Sequence, residues 1–339
     1  MRLISRYLLL LLLISFASCD TDDGFSEPDG DTTFGIRHDR DLADYEDIAA
    51  DSNPELPDFS PVVAFEYSVD GSQNGDFTAS GVLITPEWIL TAGHNFYDVE
   101  EQNAPAPPSG ITVFVGNDPN NPDETFSVAE VVLHPTWENG LQDYENANDL
   151  CLVRLSSPIT SITPASLYSE TDEVVGSTAW HAGFGSYSEQ DGQNPNLESK
   201  KHAMENVLDR VRGGIQTSAG GTTYPGGLLA FDFDHPDGTV NALGDELVND
   251  DEATLGSGTS SPMALNFEGT TVTGDSGGPL FLNNNGTWRV AGILSGGAFE
   301  PIQNHRDGDY GDISIYIRVS TSIDWIQSVI GSQPLAARF

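Results

Sequence analysis

Cysteine is almost missing from this chain: among 339 residues only Cys19 and Cys151 occur. If Cys19 belongs to an export signal, Cys151 has no partner for an intramolecular disulfide, and the fold must stand on its hydrophobic core. Basic residues are nearly as scarce, with 13 Lys and Arg against 52 Asp and Glu, a formal charge of −39. That balance excludes nucleic acid as a favoured partner and suits a solvated acidic coat on an exported protein, with specific cation binding as the alternative. No apolar run is long enough to span a bilayer as a mature helix, because Leu8 to Ile14 is too short. Neither an internal repeat nor a second anchoring segment towards the C-terminus is evident.

What the N-terminal residues do offer is an address. Arg2 and Arg6 precede the Leu8–Ile14 run, as in an export signal. The run ends in Phe16-Ala17-Ser18-Cys19, which resembles the lipobox of bacterial lipoproteins, with Phe16 where Leu is usual. This resemblance implies lipid on Cys19 and a membrane-anchored product; cleavage near Ala17 or Ser18, giving a freely secreted protein, is the alternative. An exported chain without bridges points to a bacterial source. The expected organisation is a signal peptide over 1–18, an acidic tether or propeptide over 19–35, and one catalytic domain over 36–335.

From about Pro61 short apolar runs alternate with Gly, Pro, Asn and Asp turns, the pattern of strands and hairpins. Strands are expected near Val62–Phe65, Gly81–Ile84, Trp88–Leu90, Ile111–Val115, Ser127–Leu133, Leu150–Leu155, Ser177–Ala182, Leu228–Phe233, Pro279–Leu282, Trp288–Leu294 and Ile313–Val319. Ile323, Ile326 and Ile330, with Trp325 and Val329 on the same side, predict one C-terminal helix. The polar, Gly-rich and Asp-rich stretch between Ser186 and Ser260 reads largely as surface loops.

Three short motifs carry chemistry. A serine alcohol needs a base, a carboxylate to orient that base, and donors for a developing oxyanion. Gly274-Asp275-Ser276-Gly277-Gly278-Pro279 sets a serine among glycines that let the backbone approach a substrate carbonyl. Leu90-Thr91-Ala92-Gly93-His94 and Asn148-Asp149-Leu150-Cys151-Leu152-Val153 supply the histidine and the aspartate.

These motifs, in the order His, Asp, Ser, resemble those of the trypsin and chymotrypsin family, and the likeness runs from about Pro61 to Ile330. The resemblance implies an all-β fold of two six-stranded antiparallel barrels with a C-terminal helix. It implies a cofactor-independent serine endopeptidase of protein or peptide substrates, acting as a monomer. His94 would be the general base, Asp149 its orienting partner and Ser276 the nucleophile, with the Gly274 and Ser276 amides as oxyanion hole. Ser295 would support Asp149 and the substrate backbone. Tyr316 would flank the specificity pocket.

Gly93, Asn95 and Val272 depart from the family, standing where Ala, a disulfide cysteine and a second cysteine are usual. By the same resemblance Thr270 lies at the pocket floor, where trypsin-like members carry an aspartate. With Gly297 and Ser314 leaving the pocket open, an uncharged P1 side chain is expected. Family members are activated when a new N-terminal ammonium pairs with the aspartate before the nucleophile, here Asp275; Ile36 is the candidate terminus, unless Arg37 and His38 are only linker.

Each motif also has a plain structural reading as a turn, a loop histidine or a surface carboxylate, and a non-catalytic binding homologue is the leading alternative function. A calcium-dependent structural protein is a third reading. Asp232, Asp234 and Asp237 before Gly238 resemble a calcium loop, but the spacing does not fit an EF-hand and a solvated acidic loop is expected. No metal ligand set is expected, since His134, His181, His202, His235 and His305 show no paired zinc-ligand spacing. Cys151, in an apolar run, is expected to be a buried core thiol.

Overall fold

In the computed structural model, residues 35–100, 102–187, 199–244, 254–299 and 306–331 are described. The chain divides into two units, Met1–Asp31 and Thr32–Phe339, and the described elements all lie in the second. The expected signal, Cys19 and the tether up to residue 34 fall outside the described residues, as do His305 and residues 332–335.

Six strands close the first barrel: β1 (Val62–Tyr67), β2 (Phe77–Thr85), β3 (Trp88–Thr91), β4 (Ile111–Val115), β5 (Glu124–Leu133) and β6 (Cys151–Leu155). Their order is β1-β2-β3-β6-β5-β4, and β1 pairs antiparallel with both β2 and β4 to shut the cylinder. Side-chain alternation explains why these strands read as nearly unbroken apolar runs. Val63, Phe65, Leu83 and Ile89 fill the barrel interior, while Val62, Ala64, Val82 and Leu90 join a second cluster with Phe184, Leu228, Phe281 and Ile317 from the other half. In β1, β2, β3 and β6 both faces are therefore mostly dry, while β4 and β5 keep one face partly or largely wet.

Cys151 faces the barrel interior and is fully buried, and burial pushes its thiol well above the ordinary range. Alkylation of the native protein followed by peptide mapping is expected to leave Cys151 unmodified, and unfolding to expose it fully. Modification in the native state would show that the barrel opens readily.

The second half is built on β7 (Thr178–Gly183), β8 (His202–Val207), β9 (Arg210–Ala219), β10 (Thr222–Asp232), β11 (Pro279–Asn284), β12 (Thr287–Phe299) and β13 (Asp312–Arg318). They form one antiparallel sheet of order β8-β7-β11-β12-β13-β10-β9. The chain itself links the two ends. After pairing with β7, β8 passes through Leu208, whose N–H donates to Ser177 O at 2.9 Å, and Asp209, whose N–H donates to Ala230 O at 3.0 Å, into β9 alongside β10.

The expectation of surface loops between Ser186 and Ser260 is thus corrected, since β8, β9 and β10 lie there. Most of β9 is polar and solvent-facing, and Gly213, Gly214, Gly220, Gly221, Gly226 and Gly227 dilute the strand pattern there. Pairing with β10, not local propensity, makes it a strand. A helix, α1 (Leu42–Ala50), also precedes the barrel, fixed by buried Tyr45, whose hydroxyl donates to Glu268 O at 2.8 Å. The segment around Arg37 is therefore built into the fold: Arg37 is buried, bonded to Leu265 O and paired with Asp39. At the other end the expected helix spans Ile323–Ile330 and buries Trp325, Ile326 and Ile330 against the cluster shared by both halves.

Candidate active site

Sheet register brings the first two chemical residues together. Thr91 at the end of β3 lies opposite Cys151 at the start of β6, so the loops holding His94 and Asp149 leave the same barrel edge. The buried Asp149 carboxylate takes three donors: the His94 N–H on Oδ1 at 2.8 Å, and His94 Nδ1 and the Ser295 hydroxyl on Oδ2, each at 2.6 Å. A carboxylate only accepts, so Nδ1 carries the proton and Nε2 is left as the basic nitrogen. Burial would lower the His94 pKa; the charge of Asp149 and its hydrogen bond, helped by Asp98, outweigh it, and the imidazole is raised. The ring keeps 30% of its exposure, which screens part of that effect.

Ser295 reaches Asp149 because β12 bulges between Leu294 and Gly296, releasing this residue from its pairing with β13. Gly93 has a local cause as well. A Cβ there would lie 2.8 Å from the ring of Trp137, so the bulky tryptophan takes the space that alanine would need.

The Ser276 turn is stitched to both halves. Its backbone O accepts from Ser80 N–H at 2.9 Å and from Asn95 Nδ2 at 3.1 Å, so the residue after His94 grips the nucleophile's own carbonyl. Asn95 thus ties by hydrogen bond a place where relatives have a disulfide cysteine. Ser80 Oγ donates to Gly274 O at 2.9 Å, and Gly277 N–H donates to Leu294 O at 2.9 Å. Gly274 and Gly277 have φ of 103° and 82°, conformations that a side chain resists. Among the described residues neither the Gly274 nor the Ser276 N–H has an intramolecular acceptor. Two adjacent amides with open acceptor positions are what an oxyanion requires.

A cavity of about 440 Å³ opens beside Ser276, walled by Thr270, Val272, Leu294, Gly297, Asp307 and Asp312 among others. Thr270 and Gly297 line it as expected. Ser314 stands behind the lining, its hydroxyl 3.1 Å from that of Thr270 and 2.9 Å from that of Thr271. Sequence reasoning missed Asp307, in the loop before β13, and Asp312, the first residue of β13; their only advance signal was the Asp-Gly-Asp-Tyr-Gly-Asp run.

Asp275 is fully buried and bonded to Gly185 N–H, Val272 N–H and the Tyr187 hydroxyl, with His181 and His202 beside it. Ile36 is buried too, but its backbone bridges to Gly269. The expectation of a solvated acidic loop is corrected at its first two positions, since Asp232 and Asp234 are buried and only Asp237 is exposed.

Comparison with known proteins gives a matching family and, among other matches, a curated relative. The profile of the family described as Trypsin matches residues 60–218 and 205–326. A mouse (Mus musculus) protein named transmembrane protease serine 11C is 26% identical over 264 residues, which is 76% of this chain and 49% of that protein. The chain therefore spans about half the length of this curated relative.

Proposed function

Because the chain belongs to the trypsin family, we propose that it is a serine endopeptidase, with His94, Asp149 and Ser276 as its catalytic residues. The observation that carries this reading is the Asp149 carboxylate, which holds His94 by two hydrogen bonds and Ser295 by a third. With Nδ1 protonated, His94 Nε2 takes the Ser276 hydroxyl proton as Oγ attacks a peptide carbonyl. The Gly274 and Ser276 amides stabilise the oxyanion, and the imidazolium returns the proton to the leaving amine. Water then hydrolyses the acyl-enzyme by the same steps in reverse order of proton transfer. No cofactor enters this scheme.

For substrate choice, the hydroxyl floor of Thr270, backed by Ser314, favours an uncharged P1 side chain in the cavity. Asp307 and Asp312 on the cavity wall favour a second reading, an Arg or Lys at P1. Cleavage of a peptide library separates them directly. For location, we propose export, with a lipid anchor on Cys19; incorporation of labelled fatty acid, lost in Cys19→Ala, is the expected result.

An organophosphate serine probe is expected to label the native protein once, and Ser276→Ala to abolish the label. Absence of labelling in a folded, soluble preparation would favour a non-catalytic binding homologue instead.

A further inference from the structure

The surroundings of Asp275 differ from what activation through Ile36 would need. Oδ1 accepts the Gly185 N–H at 2.9 Å and lies 3.5 Å from His181 Nε2 and 3.3 Å from His202 Nε2. Oδ2 accepts the Val272 N–H at 3.1 Å and the Tyr187 hydroxyl. Backbone closes the remaining sides: a Cβ on Gly183 or Gly185 would fall 2.2 or 2.4 Å from the carboxylate oxygens. Both oxygens are already engaged, and an arriving ammonium would have to displace a group in place.

A buried carboxylate needs a compensating charge, and the outer nitrogens of the two histidines indicate which one supplies it. His202 Nδ1 lies 3.3 Å from Lys200 O, a carbonyl that can only accept, so Nδ1 carries a proton. A second proton on Nε2, which lies 3.3 Å from Asp275 Oδ1, would make His202 the counter-charge that the buried carboxylate needs. His181 Nδ1 is 3.1 Å from the Tyr316 hydroxyl, which can donate to it, and a neutral His181 keeps its proton on Nε2 towards Asp275. Burial lowers His181, only partly offset by Asp275, in keeping with that assignment. Burial would raise Asp275, but His202 and His181 together hold its carboxyl far below the usual range. The groups facing this centre are thus His181 from β7, His202 from β8, Tyr187 and the Gly185 amide from their connection, and Val272 from the Ser276 loop. Tyr316 of β13 stands behind His181, and Asp307 acts on Tyr187 electrostatically.

The uncut chain is built in at the other end. Gly35 donates to Gly308 O at 2.7 Å and its carbonyl accepts from Thr270 N–H at 2.9 Å, next to the Ile36 bridge to Gly269. Cleavage before Ile36 would take that carbonyl away from the cavity wall at Thr270.

We propose that His202, His181 and Tyr187 are positioning residues that hold Asp275, and through it the Gly274–Ser276 turn, in working geometry in the uncut chain, so that no ammonium freed at Ile36 is required. The proposal rests on the serine endopeptidase reading. Its test is intact-mass analysis of the full chain after a fluorophosphonate probe. Species that extend N-terminally beyond Gly35 are expected to carry one label, at a rate unchanged by trimming to Ile36. Labelling confined to species that begin at Ile36 would overturn it. Failure of both forms to label would instead sink the endopeptidase reading.

A second arm reads charge and not mere packing. His202→Gln is expected to lower kcat by about 10²-fold, the loss typical of one misplaced oxyanion donor, with KM little changed. His202→Lys, which places an ammonium at the same site, is expected to retain more of kcat than His202→Gln. An unchanged kcat in His202→Gln, or no rescue of kcat in the lysine variant, would count against the proposal; if either variant fails to fold, the intact-mass result decides.

Discussion

Asp149→Asn is expected to lower kcat on a peptide substrate by about 10⁴-fold, the size known for this replacement in the reference Ser-His-Asp triad, while the fold survives. The reason lies in the three donors that converge on Asp149. Asparagine has one acceptor oxygen and an amide that donates. If the oxygen stays at the Oδ1 position with the His94 N–H, the amide takes the Oδ2 position, faces Nδ1 and the Ser295 hydroxyl, and forces the imidazole into the other tautomer. Nε2 then carries the proton and cannot take one from Ser276.

The same carboxylate sets the pH dependence. His94 is raised despite the opposing effect of its burial, so wild-type kcat/KM should climb through a value above the ordinary 6.5 as the base loses its proton. In Asp149→Asn that acid limb should move to lower pH. Steady-state kinetics from pH 5 to 9, with thermal melting as the fold control, check both statements. A loss below about tenfold, or an unmoved limb, would show that Asp149 does not orient the base.

How far such a site can be read in advance depends on sequence distance. His94 and Ser276 sit in short contiguous motifs whose glycines answer local needs, and these stand out in a single chain. The register that sets Thr91 opposite Cys151 is a pairing between distant strands and leaves no local mark. His181 and His202 show why searching for ligand spacing failed to find a role for them. They lie on neighbouring antiparallel strands, and their shared partner Asp275 comes from a remote loop. Strands β1, β2, β3 and β6 of the first barrel were legible because both their faces are mostly dry. β9 was not, because its faces are mostly wet and its glycines mimic a loop. Asp232 and Asp234 misled in the opposite direction: their local polarity suggested solvent, yet tertiary structure buries them.

That burial leads to an expected stability profile opposite to the usual acid denaturation: the melting temperature should fall between pH 5 and pH 8. Asp209, Asp232, Asp234 and Glu268 form a buried carboxylate cluster. Burial, reinforced by mutual repulsion, pushes Glu268 up to about 8, Asp234 to about 9 and Asp209 to about 10, and raises Asp232 as well. In the unfolded chain these groups titrate near 4. Between the two ranges the folded protein holds protons that the unfolded chain has released, so each step up in pH favours unfolding.

One such group carried from pH 5 to pH 8 corresponds to about 4 kcal/mol, or a fall in Tm of roughly 10 °C for a domain of this size. Hydrogen bonding between Asp209 and Asp232 makes those two titrate as a pair, so the cluster total is less than a sum of separate groups. Asp275 works on the other side: its lowered value contributes stability above pH 4 that is lost as acid protonates it. The two effects place the stability maximum on the acid side of neutrality. Asp234→Asn provides the sharper check, because Asp234 Oδ1 has no hydrogen-bond partner among the described residues and a neutral isostere has no proton to lose on unfolding, so its share of the pH dependence disappears. The variant should melt several degrees higher than wild type at pH 8 and nearly with it at pH 5. A wild-type Tm that is flat or rises from pH 5 to pH 8 would refute this account, and a Tm at pH 8 that drops on chelation would assign the compensating charge to a bound cation.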